Sequence, residues 1–478
     1  MNKLSATFIF FVVMTIGSAC IFFSSCKEKS RNEMIVFTRS SGKPIYLDFY
    51  LNDSSRYIPH AQIVELDPNN PEGSLRVLTT NYYSASSPQI SFDGKYLLFA
   101  GKQKQNDLWQ IWEMNLRDLK TRQISSSKEN CTDPAYLPGG RLVFSKYAAN
   151  DTLKAGHSLY TCNLDGSNLQ RITFNPHTYL ASNILSDGRV LTVARQIFPE
   201  KGEQMFMILR PDGTKADMFY KGTKDTFVSS PGVETNNGRI VFIESDKVSL
   251  VKDNLISISY NRPLHSRVNL TSEIGGDFRA VCPLRSGKLI VSYRKTESDR
   301  YALYEFDQDN KTLGKAVYNN AEYDVLEAVE SGKHARPKKL PSEVDMGVKT
   351  GLILCQDINV SDSRLSDKAA ASHRSARIEI VGIDSTLGFV DVETDGSFYL
   401  KVTADTPFKM QTVDKDGKVL HNSSAWIWLR PNERRGCVGC HQDPEMAPSN
   451  RVPLSVNKSP AVIPAHVNNV VEKKISLE

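Results

Sequence analysis

The residues best suited to chemistry lie near the C-terminal end, in Arg434-Arg435-Gly436-Cys437-Val438-Gly439-Cys440-His441. Cys-x-x-Cys-His is the attachment signature of c-type haem. Two thiols at this spacing reach the two vinyl groups on one edge of the macrocycle, and the imidazole that follows lies under the iron. Cys437 and Cys440 are therefore the expected thioether residues of one covalent haem c, and His441 the axial iron ligand. Arg434 and Arg435 are candidate propionate partners, because a guanidinium matches a carboxylate bidentately; two exposed arginines is the plainer account. Three other chemistries use such a pair. A zinc knuckle needs further ligands and usually a second Cys pair, which the sequence lacks. A thioredoxin-like dithiol wants a βαβ context, also lacking, and a disulfide across so short a loop is geometrically poor. For the sixth iron position the candidates are His421, His466, His373 and Met446, or an open face. Trp426 and Trp428 are placed either to cover a porphyrin or to pack in a β core.

Haem of this type is attached outside the cytoplasm, so export is a matching expectation, and the N-terminus carries its signs. Asn2 and Lys3 precede an apolar stretch, Ala6 to Phe23, broken only by Thr7, Thr15, Gly17, Ser18 and Cys20. That is the pattern of a secretory signal; an uncleaved anchor is the alternative, since about 18 residues just span a bilayer. Phe23-Ser24-Ser25-Cys26 resembles a bacterial lipobox, with small residues before the cut and polar Lys27-Glu28-Lys29-Ser30 after it. Residues 1–26 then form a lipoprotein signal ending at Cys26, the lipidated residue, with Cys20 a weaker second site. Several acyl chains on one Cys make attachment to a membrane stable, which places the mature chain on the periplasmic side or at the cell surface, in the outer membrane by preference.

The chain has 59 basic and 54 acidic residues spread along it, and no basic run interleaved with aromatics. No nucleic-acid footprint results, and the expected partners are a membrane and a redox protein. Cys131, Cys162, Cys282 and Cys355 show no disulfide framework; disulfides and buried free thiols are both open.

What must position the haem segment is a β-rich chain with an internal repeat. Ser87-Pro88…Asp93-Gly94-Lys95…Phe99 returns as Asp133-Pro134…Gly139-Gly140-Arg141…Phe144, as Ser182…Asp187-Gly188-Arg189, as Ser230-Pro231…Asn237-Gly238-Arg239…Phe242, and as Cys282-Pro283…Ser286-Gly287-Lys288. The repeated glycines stand 46 to 50 residues apart, a propeller-blade period. Each copy reads as a hairpin in which Gly supplies the positive φ of a tight primed turn. Second hairpins fall between them, as at Ile111–Leu116 and Leu159–Ser167. Two hairpins per period make a four-stranded blade. Met34–Thr38 and Ala61–Leu66 open a further blade that lacks a strand, which Tyr323–Ala328 is placed to supply, closing a ring of six. An elongated array of β repeats is the alternative. The repeats resemble the TolB-type propellers of periplasmic proteins, a fold shared by many functions.

The expected architecture is all-β: a six-bladed β-propeller over 33–335, a small β-sandwich over 345–430, and a haem-attachment segment and tail over 431–478. Arg336-Pro337-Lys338-Lys339-Leu340-Pro341 reads as the linker, its charges solvated. In the second domain Ala376–Val381 and Ser397–Val402 alternate as strands do, and Asp395-Gly396 and Asp416-Gly417 mark turns. The tail has little period of its own. The order of propeller, β-domain with Asp395-Gly396-Ser397-Phe398-Tyr399, then Trp428…Pro431-Asn432-Glu433-Arg434-Arg435 and the haem motif resembles the α-subunit family of hydrazine synthase. The likeness extends to Asn450-Arg451-Val452-Pro453-Leu454. In that family a middle domain carries the reactive haem and a further haem domain follows. Here no second Cys-x-x-Cys-His follows, and Glu445 stands where the family has a haem-ligating Tyr. The resemblance thus implies haem attachment and architecture, without hydrazine chemistry.

Two functions follow as expectations. One is a monohaem c-type cytochrome-like protein for electron transfer or small-molecule redox chemistry. The other is a binding propeller, a scaffold lipoprotein with a structural haem or metal. A hydrolase has no support, since neither Gly-x-Ser-x-Gly nor His-Glu-x-x-His occurs.

Overall fold

The computed structural model describes residues 34–41, 56–148, 156–247, 253–359, 375–421, 425–439 and 450–464. The repeat folds as six antiparallel sheets in chain order. Blade 1 joins Ile35–Ser40, Ala61–Leu66 and Arg76–Val77 to the closing strand Asp324–Glu330, which pairs with Ile35–Ser40 in the register Ile35↔Glu330 to Ser40↔Asp324. Blades 2 to 6 begin with Ser84–Ile90, Cys131–Leu137, His177–Ile184, Thr226–Val228 and Asp277–Pro283. The strand expected around Tyr323–Ala328 therefore closes the ring, shifted slightly toward the C-terminus. Such closure pairs Ile35–Ser40 on both sides, so that strand is not left as an edge for another chain to pair with. Apolar cores lie between successive blades, as where Leu180, Phe206, Phe242 and Ile256 meet.

The repeated glycines do adopt positive φ, from +72° at Gly94 to +91° at Gly188. The turns are not the primed ones expected. In blade 4 the Gly188 amide bonds the Leu185 carbonyl and the Leu185 amide bonds that of Arg189. Blades 5 and 6 repeat this at Thr235–Arg239 and Leu284–Lys288. These are three-residue loops, a type I turn followed by a left-handed glycine. Asp187 explains the acidic residue before the glycine: its Oδ1 accepts the Arg189 amide at 3.0 Å, an Asx contact that competes with a two-residue turn.

The linker lies along the propeller face. Ser331 N bonds Met34 O, His334 N bonds Phe92 O and Lys338 N bonds Ser186 O. A Cβ at Gly94 would collide with the backbone at Gly332 and Lys333, and one at Gly188 with the Lys338 carbonyl. Those glycines thus serve both the turn and the close passage of the linker.

The second domain is two four-stranded sheets around one apolar core containing Ile353, Ile378, Phe398, Leu400, Phe408 and Leu429. One sheet consists of Thr386–Asp391, Arg377–Val381, Lys409–Val413 and Val419–His421. The other pairs Thr350–Asp357 with Phe398–Thr403, and the tail supplies both of its edges: Arg434–Gly439 and Ala461–Ile463, each parallel to its neighbour. The described strands of the tail are therefore part of the β-domain. They are short, six and three residues, which hid them from periodicity.

Cys131, Cys162 and Cys282 are free, buried thiols, and Cys355 is buried. No helix among the described residues is long and apolar enough to cross a membrane.

Candidate haem-attachment site

The strand bearing the motif starts from one tight turn. Arg430-Pro431-Asn432-Glu433 closes with Glu433 N on Arg430 O at 2.9 Å, and Asn432 has φ +67°. That is a type II turn, with Pro at its second position and Asn at the third, where positive φ is required. Glu433 is buried, and its carboxylate organises the junction. Oε1 accepts the Lys215 amide at 2.9 Å and Arg435 Nη2 at 2.8 Å, and Oε2 accepts the Arg430 amide at 2.8 Å. Arg430 reaches back to the propeller, its Nε to the Asp212 carbonyl at 3.0 Å and its Nη1 to Asp405 at 2.8 Å. Asp212 in turn receives Ser342 Oγ and the Glu343 amide. The outer hairpin of blade 4 is thus the platform on which the β-domain sits.

From that turn Arg434–Gly439 runs parallel to Thr350–Asp357, with Cys437 opposite Cys355. Cys437 is half-buried and packs against the sandwich core. Burial pushes its thiol up in pKa, against a smaller opposing pull from Arg435. The strand is a sheet edge, and nothing lies within 4 Å of where a Cβ on Gly436 would point. That open side lies on the face of the strand opposite Cys437, since successive residues of a strand point to opposite faces. Of the two arginines, Arg434 is exposed, whereas Arg435 is held by Glu433 and by the Ala216 carbonyl at 3.1 Å. Cys440, His441, Met446, His373, His466, Glu445 and Cys26 lie outside the described residues. His421 ends the edge strand of the other sheet, opposite Thr412. Among the described residues no group of three or more His, Cys, Asp and Glu is placed to hold a metal ion.

Beyond the haem segment, Arg451 fixes the returning chain. It pairs with Asp357 at 3.0 Å and bonds the Gln356 and Asp395 carbonyls, so Asn450–Leu454 is clamped beside the far end of the Cys355 strand. Trp428 packs among propeller residues, with Tyr179, Val190 and Leu209, and Trp426 lies under Lys409 Nζ at 4.8 Å. Both seal the join between domains. Glu433, Arg430, Asp212 and Arg451 act by position, and only the Pro-Asn pair gave a local signal in sequence.

The propeller has a cavity of its own, about 660 Å³, on the ring axis. At its lining Arg56 binds Asp133 through Nε at 2.7 Å, Ser87 Oγ at 2.9 Å and Glu327 at 2.7 Å. Burial pushes the Asp133 carboxyl up, but the Arg56 guanidinium and its hydrogen bonds outweigh this and hold it below the usual carboxylate range. Ser87, Asp133 and Ala181 have positive φ where the inner strands bulge. The bulges turn the Ser87 and Ala181 amides onto Glu327 and Asp133.

The fold is a β-propeller joined to a β-domain, and residues 351–442 match the family model described as the hydrazine synthase alpha subunit middle domain. The chain is 25% identical to hydrazine synthase subunit alpha of Kuenenia stuttgartiensis over 513 aligned positions, covering 80% of this chain and 63% of that protein. The solved structure of hydrazine synthase from Kuenenia stuttgartiensis superposes with a TM-score of 0.74 at 21% identity, over 89% of this chain and 71% of that one. TolB from Acinetobacter baumannii gives a TM-score of 0.46 at 13% identity over 63% of this chain and 66% of its own. The chain thus spans a little under two thirds of the curated relative's length.

Proposed function

We propose that this is an exported, lipid-anchored protein carrying one covalent haem c on Cys437 and Cys440, with His441 as an iron ligand, for electron transfer or small-molecule redox chemistry. The observation that carries the reading is the full Cys437-Val438-Gly439-Cys440-His441 motif at the end of the segment matching the hydrazine synthase alpha middle domain. The edge-strand position of Cys437 is compatible with it. Haem there supplies an iron that exchanges single electrons. The chain's own residues fix its place: Glu433 and Arg430 set the strand on blade 4, Arg451 ties down the chain beyond, and Arg434 is free for a propionate. Lipidation at Cys26 would hold the protein at a membrane on the periplasmic side or cell surface, within reach of a redox partner.

The test is a pyridine haemochrome spectrum of the full chain exported in a host that matures c-type cytochromes. An α-band of two thioether links is expected, and it should vanish in Cys437→Ser/Cys440→Ser. A folded product without haem would overturn the reading. The axial cavity favours a second reading, a propeller that binds a partner while the haem is structural. Under it, the double serine variant keeps partner capture and a variant of the cavity lining loses it.

A further inference from the structure

The seam between blades 3 and 4 and the β-domain holds buried nitrogens with nothing to bond. Among the described residues, Arg171 Nη2, Asn175 Nδ2, His177 Nδ1, Trp426 Nε1 and Trp428 Nε1 are buried without a hydrogen-bond partner. Asn175 and Trp428 are 1% exposed, His177 4% and Trp426 5%. They belong to one place. Tyr179 Oη donates to Asn175 Oδ1 at 2.7 Å, its ring lies 6.2 Å from that of His177, and Trp428 shares its apolar cluster. Arg171 and Arg430 both stack on Phe174, at 4.9 and 4.7 Å, and Lys409 covers Trp426.

Charge is unbalanced at the same seam. Arg171, Arg430 and Lys409 contribute three cations against two carboxylates, Asp405, which pairs with Arg430 and also attracts Arg171, and Glu200, which attracts Lys409. Burial pushes the pKa of both Arg171 and Lys409 down, and it drives His177 to about 3 with help from Lys409, so the imidazole is neutral. Buried donors are nearly always bonded, and buried charges are nearly always paired. Water would supply acceptors but no charge. An anion supplies both.

We propose that this seam binds a small oxyanion or a carboxylate, received by Asn175 Nδ2, Trp428 Nε1 and Arg171. The ligand has two sources, a free oxyanion from solution or a carboxylate of a group the chain already carries. The first stands independently of the haem reading; the second rests on it, through the haem propionates.

The test uses the full chain in two forms, haem-loaded and Cys437→Ser/Cys440→Ser. Crystals of each are soaked in selenate, and melting temperature is followed against sulfate at ionic strength held constant with chloride. A selenium anomalous peak at hydrogen-bond distance from Asn175 and Trp428 is expected, with a melting temperature that climbs with the logarithm of sulfate concentration. Peak and sulfate dependence in both forms identify a free oxyanion. Their restriction to the haem-free form, with a propionate at the seam in the loaded one, identifies the carried carboxylate. Asn175→Asp supplies the charge internally and keeps an acceptor for Tyr179, so it should abolish the sulfate dependence, and Arg171→Gln should weaken it. Water alone at the seam in both forms, with melting that follows ionic strength only, overturns the proposal. So does a sulfate dependence undiminished in both variants.

Discussion

Glu433 should be the costliest single carboxylate to lose at the domain junction. Its side chain is fully buried and receives the Lys215 and Arg430 amides and two nitrogens of Arg435, itself 13% exposed. Glu433→Ala strands the buried Arg430 amide, at about 1–3 kcal/mol, and the part-buried Lys215 amide at less, and leaves a largely buried guanidinium without its carboxylate, a situation that costs about 3–5 kcal/mol in measured cases. These overlap, since local water can enter the cavity, so a total of about 3–5 kcal/mol is expected. Glu433→Gln keeps one acceptor oxygen and turns donors against donors on the other side, for about half that loss. The assay is urea unfolding of the full chain by circular dichroism and by tryptophan fluorescence, since Trp426 and Trp428 report the seam and Trp109 and Trp112 report blade 2. Coincident transitions are expected for the parent, with a separate early loss of the seam signal in Glu433→Ala. A variant within about 1 kcal/mol of the parent, with transitions still coincident, would refute the claim that Glu433 couples the domains.

Gly188→Ala should destabilise the chain more than Gly287→Ala. Both have positive φ, costing an alanine about 1–2 kcal/mol, but only at Gly188 does the new methyl meet the linker backbone; Gly287 has nothing within 4 Å. Equal melting temperatures for the two would contradict the docked linker. Asp133→Asn should cost about 1–3 kcal/mol at pH 7, because buried Arg56 loses one charged partner while Glu327 still pairs with it. Because the native carboxyl is held below its unfolded value of about 3.9, that stabilisation is present above this pH and is lost as pH falls through the native pKa. The gap between parent and variant in urea midpoints should therefore narrow from pH 7 to pH 3, and a constant gap would count against the ion pair. In haem-free protein, a thiol reagent should label Cys437 before Cys131, Cys162, Cys282 and Cys355, which are fully buried; mass spectrometry of early time points reads the order.

Much of the propeller was legible because its signal is local and repeated. In blades 2 to 6 a turn glycine followed by a basic residue marks one hairpin each, and even the closing strand was found within two residues. The turn type was missed, since Asp-Gly suits both a primed turn and a type I turn with a glycine bulge, and only the Asx contact to the following amide decides between them. The tail was misjudged for a different reason. Arg434–Gly439 and Ala461–Ile463 are edge strands held in parallel by neighbours far away in sequence, so their placement depends on pairing that no local pattern records. At the site the chemistry-bearing residues were visible as a motif, whereas the residues that hold it were not. Glu433 and Arg430 look like ordinary surface charges in sequence, and burial against blade 4 gives them their role.

The clasp that closes the propeller has a mechanical consequence. Ile35 faces Glu330, so the chain enters and leaves the ring at the same end of that ladder. Tension between the two exits would open the clasp one pair at a time, like a zip, instead of loading all its hydrogen bonds together in shear. The linker shields this weak direction. Arg285 grips the Ser331 and Lys333 carbonyls, and the His334 and Lys338 amides are bonded to blades 2 and 4. A pull transmitted from the β-domain must strip those attachments in turn before any force reaches the first pair, so the ring should yield under load only after its strap has peeled.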